Sequence, residues 1–306
     1  MNVRIVLIRL VQGVITTFLV FTAVFFIMRL SGDPTLLFLP PDATQEDIER
    51  FRHEMGWDRS LVVQYFDYLG DVLQGDFGES LTYGGSALEV VLERLPATLE
   101  LTIVAFVLTV IIAIPAGLIA AVRPNTIISQ IVMLLALLGQ AMPGFWLGVM
   151  MILLFSVQLG LLPTGGRGTP LHLVMPAIVL GSWGAAKITR LTRAGMQEVM
   201  GEDFIRTARS KGLQERSVLF GHALRNALLP VLSALGLTVG VMLGGAIITE
   251  TVFAWPGVGR LIVQSVLKRD FPVVQVATIL LAVIFIASNL TVDILYTVVD
   301  PRIRYD

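Results

Sequence analysis

The sequence contains no cysteine, few charged residues and only three histidines. Without cysteine, the chain has no disulfide framework, thiol nucleophile or cysteine-ligated metal site. His53, His172 and His222 lie far apart, and none belongs to the two-histidine motif of zinc proteases. The sequence also lacks the GxxxxGK[ST] loop that cradles ATP phosphates. We therefore predict no catalytic residues, no metal ligands and no cofactor bound by this chain.

Hydrophobic residues dominate what remains. They make up 55% of the chain, charged residues only 15%, and the mean hydropathy is +0.80. Soluble domains carry about a quarter charged residues, so the composition indicates a membrane protein whose partners include the lipid bilayer. The net charge of −1 argues against a nucleic-acid-binding protein.

Uncharged runs long enough to cross a bilayer, which takes about 20 residues, recur along the chain. They are Leu10–Met28, Leu101–Val122, Pro124–Gly166, Gly168–Ala186, Asn226–Thr249 and Phe271–Val292. The third run is too long for one helix, and we interpret it as a span near Ile127–Val157 followed by a loop. Gln140, Pro143 and Gly144 predict a kink in that span, because proline removes a backbone hydrogen bond. The sequence thus predicts an all-α membrane protein with six transmembrane helices.

The distribution of Lys and Arg predicts the orientation of these helices. With the N-terminus inside, the inner face holds 13 of the 22 basic residues, whereas the Ser31–Pro96 segment holds 13 acids and four bases. Both termini are therefore predicted to be cytoplasmic. The first helix is predicted to be an uncleaved anchor, since Arg29 follows it without a small-residue cleavage site. The predicted regions are an N-terminal tail with helix 1 (1–30), an external insert (31–96), a five-helix core (97–298) with a cytoplasmic loop (187–228), and a cytoplasmic tail (299–306).

The external insert is predicted to contain two short helices. Thr44 and Asp47 have the spacing of a capping box, and the helix that they begin is expected to end before Gly56. Leu61–Leu73 is predicted to be a second, amphipathic helix that stops at Gly75. A small cap on the outer membrane surface and a docking site for an external partner both fit this pattern.

The cytoplasmic loop contains a short polar helix, predicted at Asp203–Gly212. Asp203 is a suitable N-cap, and Arg209 and Lys211 complement the dipole in the last turn. Gly212 suits the left-handed position just beyond the helix. An ordinary positive-inside loop is the simpler interpretation, but this helical order favours a segment that binds a soluble partner. Pro230, where the loop ends, is expected in the first turn of the fifth span.

The fifth span carries small residues and one carboxylate. Glycines recur at four-residue spacing, at Gly236, Gly240 and Gly244, which allows close helix packing within the chain or at a gate between subunits. Glu250 closes this span and either lines the outer mouth of a pathway or pairs at the interface with Arg260 or Lys268.

Taken together, these segments resemble the binding-protein-dependent ABC importer permeases, and most closely the first permease subunit of dipeptide, oligopeptide and nickel importers. The resemblance covers essentially the whole chain. The matching segments are RLSGDP (29–34), QGDFGESL (74–81), RLPATLEL (94–101), DFIRTARSKGL (203–213), HALRNALLP (222–230), ETVFAWPGVGRL (250–261) and DPRIRY (300–305).

The resemblance implies that the polar helix is a coupling helix seated in a groove of an ATPase subunit. Arg206, Thr207 and Ala208 stand where the family motif has Glu-Ala-Ala. Since Arg206 replaces the acid, a salt bridge made by that acid elsewhere does not carry over. The residues implied in coupling are Asp203, Arg206, Thr207, Ala208, Arg209, Lys211, Gly212 and Leu213.

The resemblance also implies the type I ABC importer permease fold and an assembly in the bacterial cytoplasmic membrane. Its other members are a homologous second permease, two ATPase subunits that bind ATP and Mg, and an external substrate-binding protein. The external surfaces offered to that protein are the insert, the 159–170 loop and the 253–269 loop, which includes Phe253, Trp255, Pro256 and Gly257.

The function implied is ATP-driven import of di- or oligopeptides by alternating access, with no covalent chemistry in this chain. No His- or Met-rich cluster suited to nickel is present. A secondary transporter or channel is the alternative, although the spans lack ionisable relays. A membrane-embedded enzyme using His172 or Glu250 is less well supported, because the sequence offers no nucleophile with a base.

Overall fold

The computed structural model describes the backbone of residues 3–32, 35, 39–40, 42–80 and 82–299, and most side chains between 7 and 291 within these ranges. The segment DPRIRY used above, with most of the predicted cytoplasmic tail, lies outside the described residues. The principal helices are α1 (Val3–Leu30), α2 (Gln45–Glu54), α3 (Leu61–Leu73), α4 (Ala87–Val122), α5 (Ile127–Ala141), α6 (Gly144–Met151), α7 (Leu171–Met200), α8 (Asp203–Ser210), α9 (Glu215–Val252), α10 (Val258–Leu267) and α11 (Phe271–Val299). The described part of the chain contains no strand beyond an isolated bridge between Glu79 and Ser86.

The all-α prediction is confirmed. Five helices of the described residues are long and apolar enough to cross a membrane, and the count reaches six if α5 and α6 together form one span. Contacts divide the chain into two compact units. Among the described residues, the first unit contains residues 99–255 and 287–299, and the second contains residues 3–98 and 256–286.

The first unit is built on close approaches of α7 to its neighbours. A β-carbon added at Gly117 of α4 would lie 2.6 Å from the carbonyl oxygen of Thr189 in α7. One added at Gly184 would lie 2.6 Å from the Cγ2 of Thr238 in α9. Small residues permit such backbone contact in membranes, where packing rather than water exclusion holds helices together.

The predicted kink at Pro143 is a complete break. Helices α5 and α6 meet at an angle of 110°, and Met142 and Pro143 between them have extended ψ angles of 129° and 134°. Proline disfavours the helical conformation of the residue before it, so the chain leaves the helix at Met142. A π-helical segment, Ile152–Gln158, follows α6.

Pro230 is not in the first turn of its helix, so that prediction was wrong. Helix α9 begins at Glu215, includes a π-helical turn over Val218–Ala223, and continues to Val252 with Pro230 in its interior. Proline cannot donate to the carbonyl four residues earlier, that of Asn226. Nearby, the Asn226 Nδ2 donates to the His222 carbonyl at 2.7 Å. The cytoplasmic loop predicted at 187–228 is largely helical, since only residues 201–214, which include α8, separate α7 from α9.

In the second unit, both helices predicted for the external insert are confirmed. The Thr44 backbone N donates to Asp47 Oδ2 at 3.1 Å, and the Asp47 backbone N donates to Thr44 Oγ1 at 3.3 Å, which completes the capping box. Thr44 Oγ1 also donates to Asp47 Oδ2 at 2.6 Å, and this bond, together with the one from the Thr44 backbone N, lowers the pKa of the Asp47 carboxyl. Gly56 and Gly75 have positive φ angles of 66° and 88°, as turns after α2 and α3 require.

The second unit also contains a buried polar connection. Asp270 accepts hydrogen bonds from Ser80 Oγ at 2.5 Å and from the Thr82 backbone N at 3.2 Å. Thr98 Oγ1 accepts from the Val258 backbone N at 2.8 Å, which ties α4 to the start of α10. Helix α4 begins at Ala87, so the last ten residues of the region predicted as insert are helical.

Candidate functional site

The polar helix of the cytoplasmic loop exists as α8, with a different N-terminus from the one predicted. Glu202 occupies the N-cap position and makes no capping hydrogen bond with its side chain, while Asp203 is the first helical residue. The N-cap prediction for Asp203 was therefore wrong. Its carboxylate still lies in the first turn, where negative charge complements the helix dipole.

The C-terminus of α8 agrees with the prediction. Gly212 has φ +75°, and its backbone N donates to the Arg209 carbonyl at 2.9 Å. The Leu213 backbone N donates to the Ala208 carbonyl at 3.4 Å. This pair of bonds is the Schellman motif, in which a left-handed glycine ends the helix.

One face of α8 is anchored to the first unit. Ile205 and Ala208 are buried in a cluster with Met196 of α7 and with Val218 and Ala223 of α9. Ala208 therefore packs against its own chain, which explains why a small residue stands there. Because α8 contacts both flanking helices, a displacement of α8 acts on two long helices at once.

An ion pair closes the turn between α8 and α9. Arg209 Nη2 lies 2.7 Å from Glu215 Oε1, and Arg209 Nε lies 3.2 Å from Glu215 Oε2. The hydrogen bonds from Arg209 lower the pKa of the Glu215 carboxyl, and the same bonds raise the pKa of the Arg209 guanidinium. Both side chains are well exposed, so the pair orders the turn more than it stabilises the fold.

The opposite face of α8 is exposed and combines apolar with basic side chains. Phe204 is 42% exposed and Leu213 is 41% exposed. Arg206 lies 3.6 Å from Asp203 with its side chain largely in solvent, and the Thr207 hydroxyl donates to the Asp203 carbonyl at 2.9 Å. We define the outer face of α8 as five exposed residues: Phe204, Arg206 and Thr207 on the helix, and Lys211 and Leu213 just beyond its last residue.

The three regularly spaced glycines of α9 are not all buried in the first unit. Gly236 and Gly240 are buried, whereas Gly244 is exposed and has no atom within 4 Å of an added β-carbon. The glycines at which α7 packs most closely, Gly181 and Gly184, were not identified from the sequence. Their spacing of three residues is a usable signal only once the partner helices are known.

Glu250, predicted either to line a pathway or to form an interfacial pair, is fully buried. Its carbonyl oxygen accepts a hydrogen bond from the Trp255 backbone N at 2.8 Å, which turns the chain at the end of α9. The side chain is thus placed inside the protein and not on the surface of this chain.

The residues proposed for an external docking loop are mostly buried. Phe253 is 1% exposed and Trp255 is not exposed at all, so these side chains do not form the predicted docking surface. Within the first unit, the Gly166 backbone N donates to the Phe253 carbonyl at 2.8 Å. Arg167 forms an ion pair with Glu100 at 2.6 Å and lies over the Trp255 ring. The 159–170 loop therefore covers these aromatic residues. Pro256 is half-buried and Gly257 is buried.

His172, considered above as a possible catalytic residue, has a structural role in this fold. His172 Nδ1 accepts from the Thr169 backbone N at 3.1 Å, a contact that orders the first turn of α7. No group of three or more His, Asp or Glu side chains able to hold a metal ion occurs in the described part of the chain.

Comparison with known proteins identifies the family. Residues 113–305 match the model of the binding-protein-dependent transport system inner membrane component, and residues 2–102 match the model of the N-terminal region of such membrane components. The segment with α8 and the two helices that anchor it lies within the first match.

Similar proteins of known name extend over nearly the whole chain. The oligopeptide transport system permease protein AppB of Bacillus subtilis is 42% identical over 293 residues, covering 92% of this chain and 93% of AppB. The glutathione transport system permease protein GsiC of Escherichia coli K12 is 43% identical over 298 residues, covering 97% of both chains.

A solved structure supports the fold. A chain of the MetNI methionine ABC transporter, crystallised in an inward-facing conformation, has a TM-score of 0.55 at 20% identity and covers 69% of this chain and 96% of its own. The type I ABC importer permease fold predicted from the sequence is confirmed. The chain belongs to the binding-protein-dependent transport system inner membrane component family and is a permease subunit of an ABC importer.

Proposed function

We propose that the outer face of α8 docks on an ATPase subunit and that the importer moves short peptides. The main support for this proposal is that α8 has two different faces. Ile205 and Ala208 fix the helix to α7 and α9, while Phe204 and Leu213 are exposed beside basic side chains. Aromatic and arginine side chains are enriched at protein interfaces, where a few such side chains provide most of the binding energy.

The anchoring explains how force would pass through this element. A movement of the ATPase subunits would displace α8, and α8 would carry α7 and α9 with it through the buried cluster around Met196 and Val218. The Schellman motif and the Arg209–Glu215 pair keep the connecting turn short and ordered. In this mechanism ATP and Mg belong to the partner subunits, and this chain supplies alternating access without covalent chemistry.

Two relatives support a peptide as the substrate. AppB is named for oligopeptide transport and GsiC for glutathione, a tripeptide, and each matches this chain at more than 40% identity over at least 92% of its length. We infer that the substrate is a short peptide delivered by an external binding protein. A homologous second permease would complete the pathway, and both termini would lie in the cytoplasm.

The test is the replacement of Phe204 by alanine in the chain reconstituted with its ATPase, second permease and binding protein. Truncation of a hot-spot side chain at an interface costs about 2 kcal/mol or more of binding energy, and Phe204 is the exposed aromatic side chain of this face. We therefore expect the affinity for the ATPase subunit to fall at least about tenfold, since about 1.4 kcal/mol corresponds to that factor. ATP-dependent uptake of a labelled dipeptide and of glutathione is measured in the same proteoliposomes.

Phe285 provides the matched control, since it is also a phenylalanine 42% exposed, but on the membrane-spanning helix α11. Phe285→Ala is expected to retain ATPase binding and uptake. Equal ATPase affinity in the two variants would refute the docking role of α8. Uptake that needs no ATPase and follows a proton gradient would instead indicate a secondary transporter.

A further inference from the structure

Helix α3 of the insert has two apolar faces. A helix that only caps the protein in water needs one apolar face, the one that packs on the rest of the chain. Successive residues of an α-helix are rotated by about 100° around its axis. Tyr65, Tyr68, Leu69 and Val72 share one face, and Val62, Phe66 and Leu73 share the adjacent one. Gln64, Asp67 and Asp71 form a polar strip, which Val63 and Gly70 separate from the second apolar face.

The first apolar face packs along the membrane-spanning helix α1. Tyr65 and Tyr68 lie against Phe21 and Phe25, with the Phe21 and Tyr68 rings stacked at 5.5 Å between centroids. The Thr22 and Tyr65 hydroxyls are 2.8 Å apart. Both helices belong to the second unit.

This contact lies well below the end of the span. Thr22 precedes Leu30, the last residue of the candidate span, by eight residues, which corresponds to about 12 Å at 1.5 Å per residue. Arg29 marks the end of the span, and its guanidinium lies over the rings of Trp57 and Phe271. Such arginine and tryptophan side chains are typical of the membrane–water interface. The chain thus descends from Trp57 near the interface to Tyr65 at the depth of Thr22.

The second apolar face is exposed in this chain. Val62 is 59% exposed, Phe66 is 63% exposed and Leu73 is 80% exposed. The polar strip bears Asp67, which forms an ion pair with Arg59 at 3.1 Å, and the exposed Asp71. Helix α3 therefore contacts a transmembrane helix on one side, exposes apolar side chains on a second side and exposes carboxylates on a third. This arrangement suits a helix at the boundary between lipid headgroups and acyl chains.

We propose that α3 is an interfacial membrane helix, with the stripe of Val62, Phe66 and Leu73 in contact with lipid acyl chains of the leaflet at the C-terminal end of α1. Lipid is the occupant because α3 packs on the membrane-spanning helix α1, whose own large apolar side chains, such as Leu19 and Ile27, are also exposed. Interfacial helices bury their apolar face about 5–10 Å into this boundary, a depth that the Thr22–Tyr65 contact allows. Asp71 then faces water.

The test uses the natural absence of cysteine, which lets a single introduced cysteine carry a nitroxide label. Phe66→Cys and Leu73→Cys report the stripe, and Asp71→Cys is the matched control on the polar strip of the same helix. Collision rates with oxygen, which concentrates in lipid, and with a water-soluble nickel chelate are measured in phosphatidylcholine–phosphatidylglycerol nanodiscs. We expect the oxygen-to-nickel ratio at 66 and 73 to exceed that at 71 severalfold.

Two results would overturn the proposal. A nickel accessibility at 66 and 73 equal to that at 71 would place the stripe in water. Low accessibility to both reagents, in the chain alone or only in the assembled importer, would show that protein covers the stripe. The expected ratio, unchanged on assembly with the partner subunits, supports a lipid contact, and it does so whichever substrate the importer carries.

Discussion

Gly117 stands where α4 and α7 approach most closely in the first unit. An added β-carbon there would lie 2.6 Å from both the Thr189 carbonyl oxygen and the Thr192 Cβ. The first of these is a backbone atom, which cannot move aside as the end of a flexible side chain can. The position therefore sets the distance between the two helices.

We predict that Gly117→Ala lowers the stability of the folded protein. Overpacking in a close-packed interior costs about 1–3 kcal/mol, and here this outweighs the gain in helix propensity of about 1 kcal/mol. The measurement is the thermal midpoint of the purified chain in detergent. Gly244→Ala is the control, since an added β-carbon there meets no atom within 4 Å. Equal midpoints for the two variants would contradict the assigned contact.

The glycines of α9 and α4 differ in how far their packing can be predicted from sequence. The four-residue spacing of Gly236, Gly240 and Gly244 indicated packing, and the structure buries only the first two. Gly117 is a lone glycine in its helix, without any periodicity. Its importance depends on which helix lies opposite, and that information is not local in sequence.

The π-helical turn at the start of α9 explains how α8 is held. Val218 and Ala223 are five residues apart and are both buried against α8. In a regular α-helix, residues five apart are separated by about 140° and do not share a face. The wider π turn brings them to the same side, and such turns are often found at functional sites.

Deletion of Gly221 is predicted to be tolerated by the fold. It shortens the spacing of Val218 and Ala223 to four residues, which share a face of an ordinary α-helix. Deletion of Leu232 instead rotates the following residues by about 100° and displaces the buried Ala234 and Leu235. Such a loss of core packing costs about 2–5 kcal/mol. Thermal midpoints and size-exclusion profiles compare the two deletions, and similar aggregation of both would disprove this account.

Helices whose ends are marked by capping residues or turn glycines were predicted well. Helices that contain or follow a proline were predicted less well. Capping residues and turn glycines determine the bounds of α2, α3 and α8 to within one or two residues, since these signals act over a single turn. Pro143 and Pro230 carry the same residue-level signal, yet one breaks a helix and the other lies inside one. The difference depends on whether tertiary packing compensates for the missing hydrogen bond.

At the scale of the whole molecule, the break between α5 and α6 decides the topology. If the pair crosses the membrane once, the chain has six spans and its termini lie on the same side. If the pair is a re-entrant loop, five spans place α8 on the side of the insert. A coupling role for α8 requires the first arrangement, because the ATPase and the insert must then lie on opposite sides.

Single-cysteine labelling in intact cells tests this topology in a chain that has no cysteine of its own. We expect a membrane-impermeant maleimide to label Glu49→Cys and Thr164→Cys from outside, and to label Lys211→Cys only after permeabilisation. All three positions are exposed in the structure, so lack of labelling reports sidedness and not burial. External labelling of Lys211→Cys together with protection of Thr164→Cys would show that α5 and α6 turn back within the bilayer. The positive-inside distribution of the basic residues near α8 favours the six-span outcome, because moving such a cluster across the membrane is unfavourable.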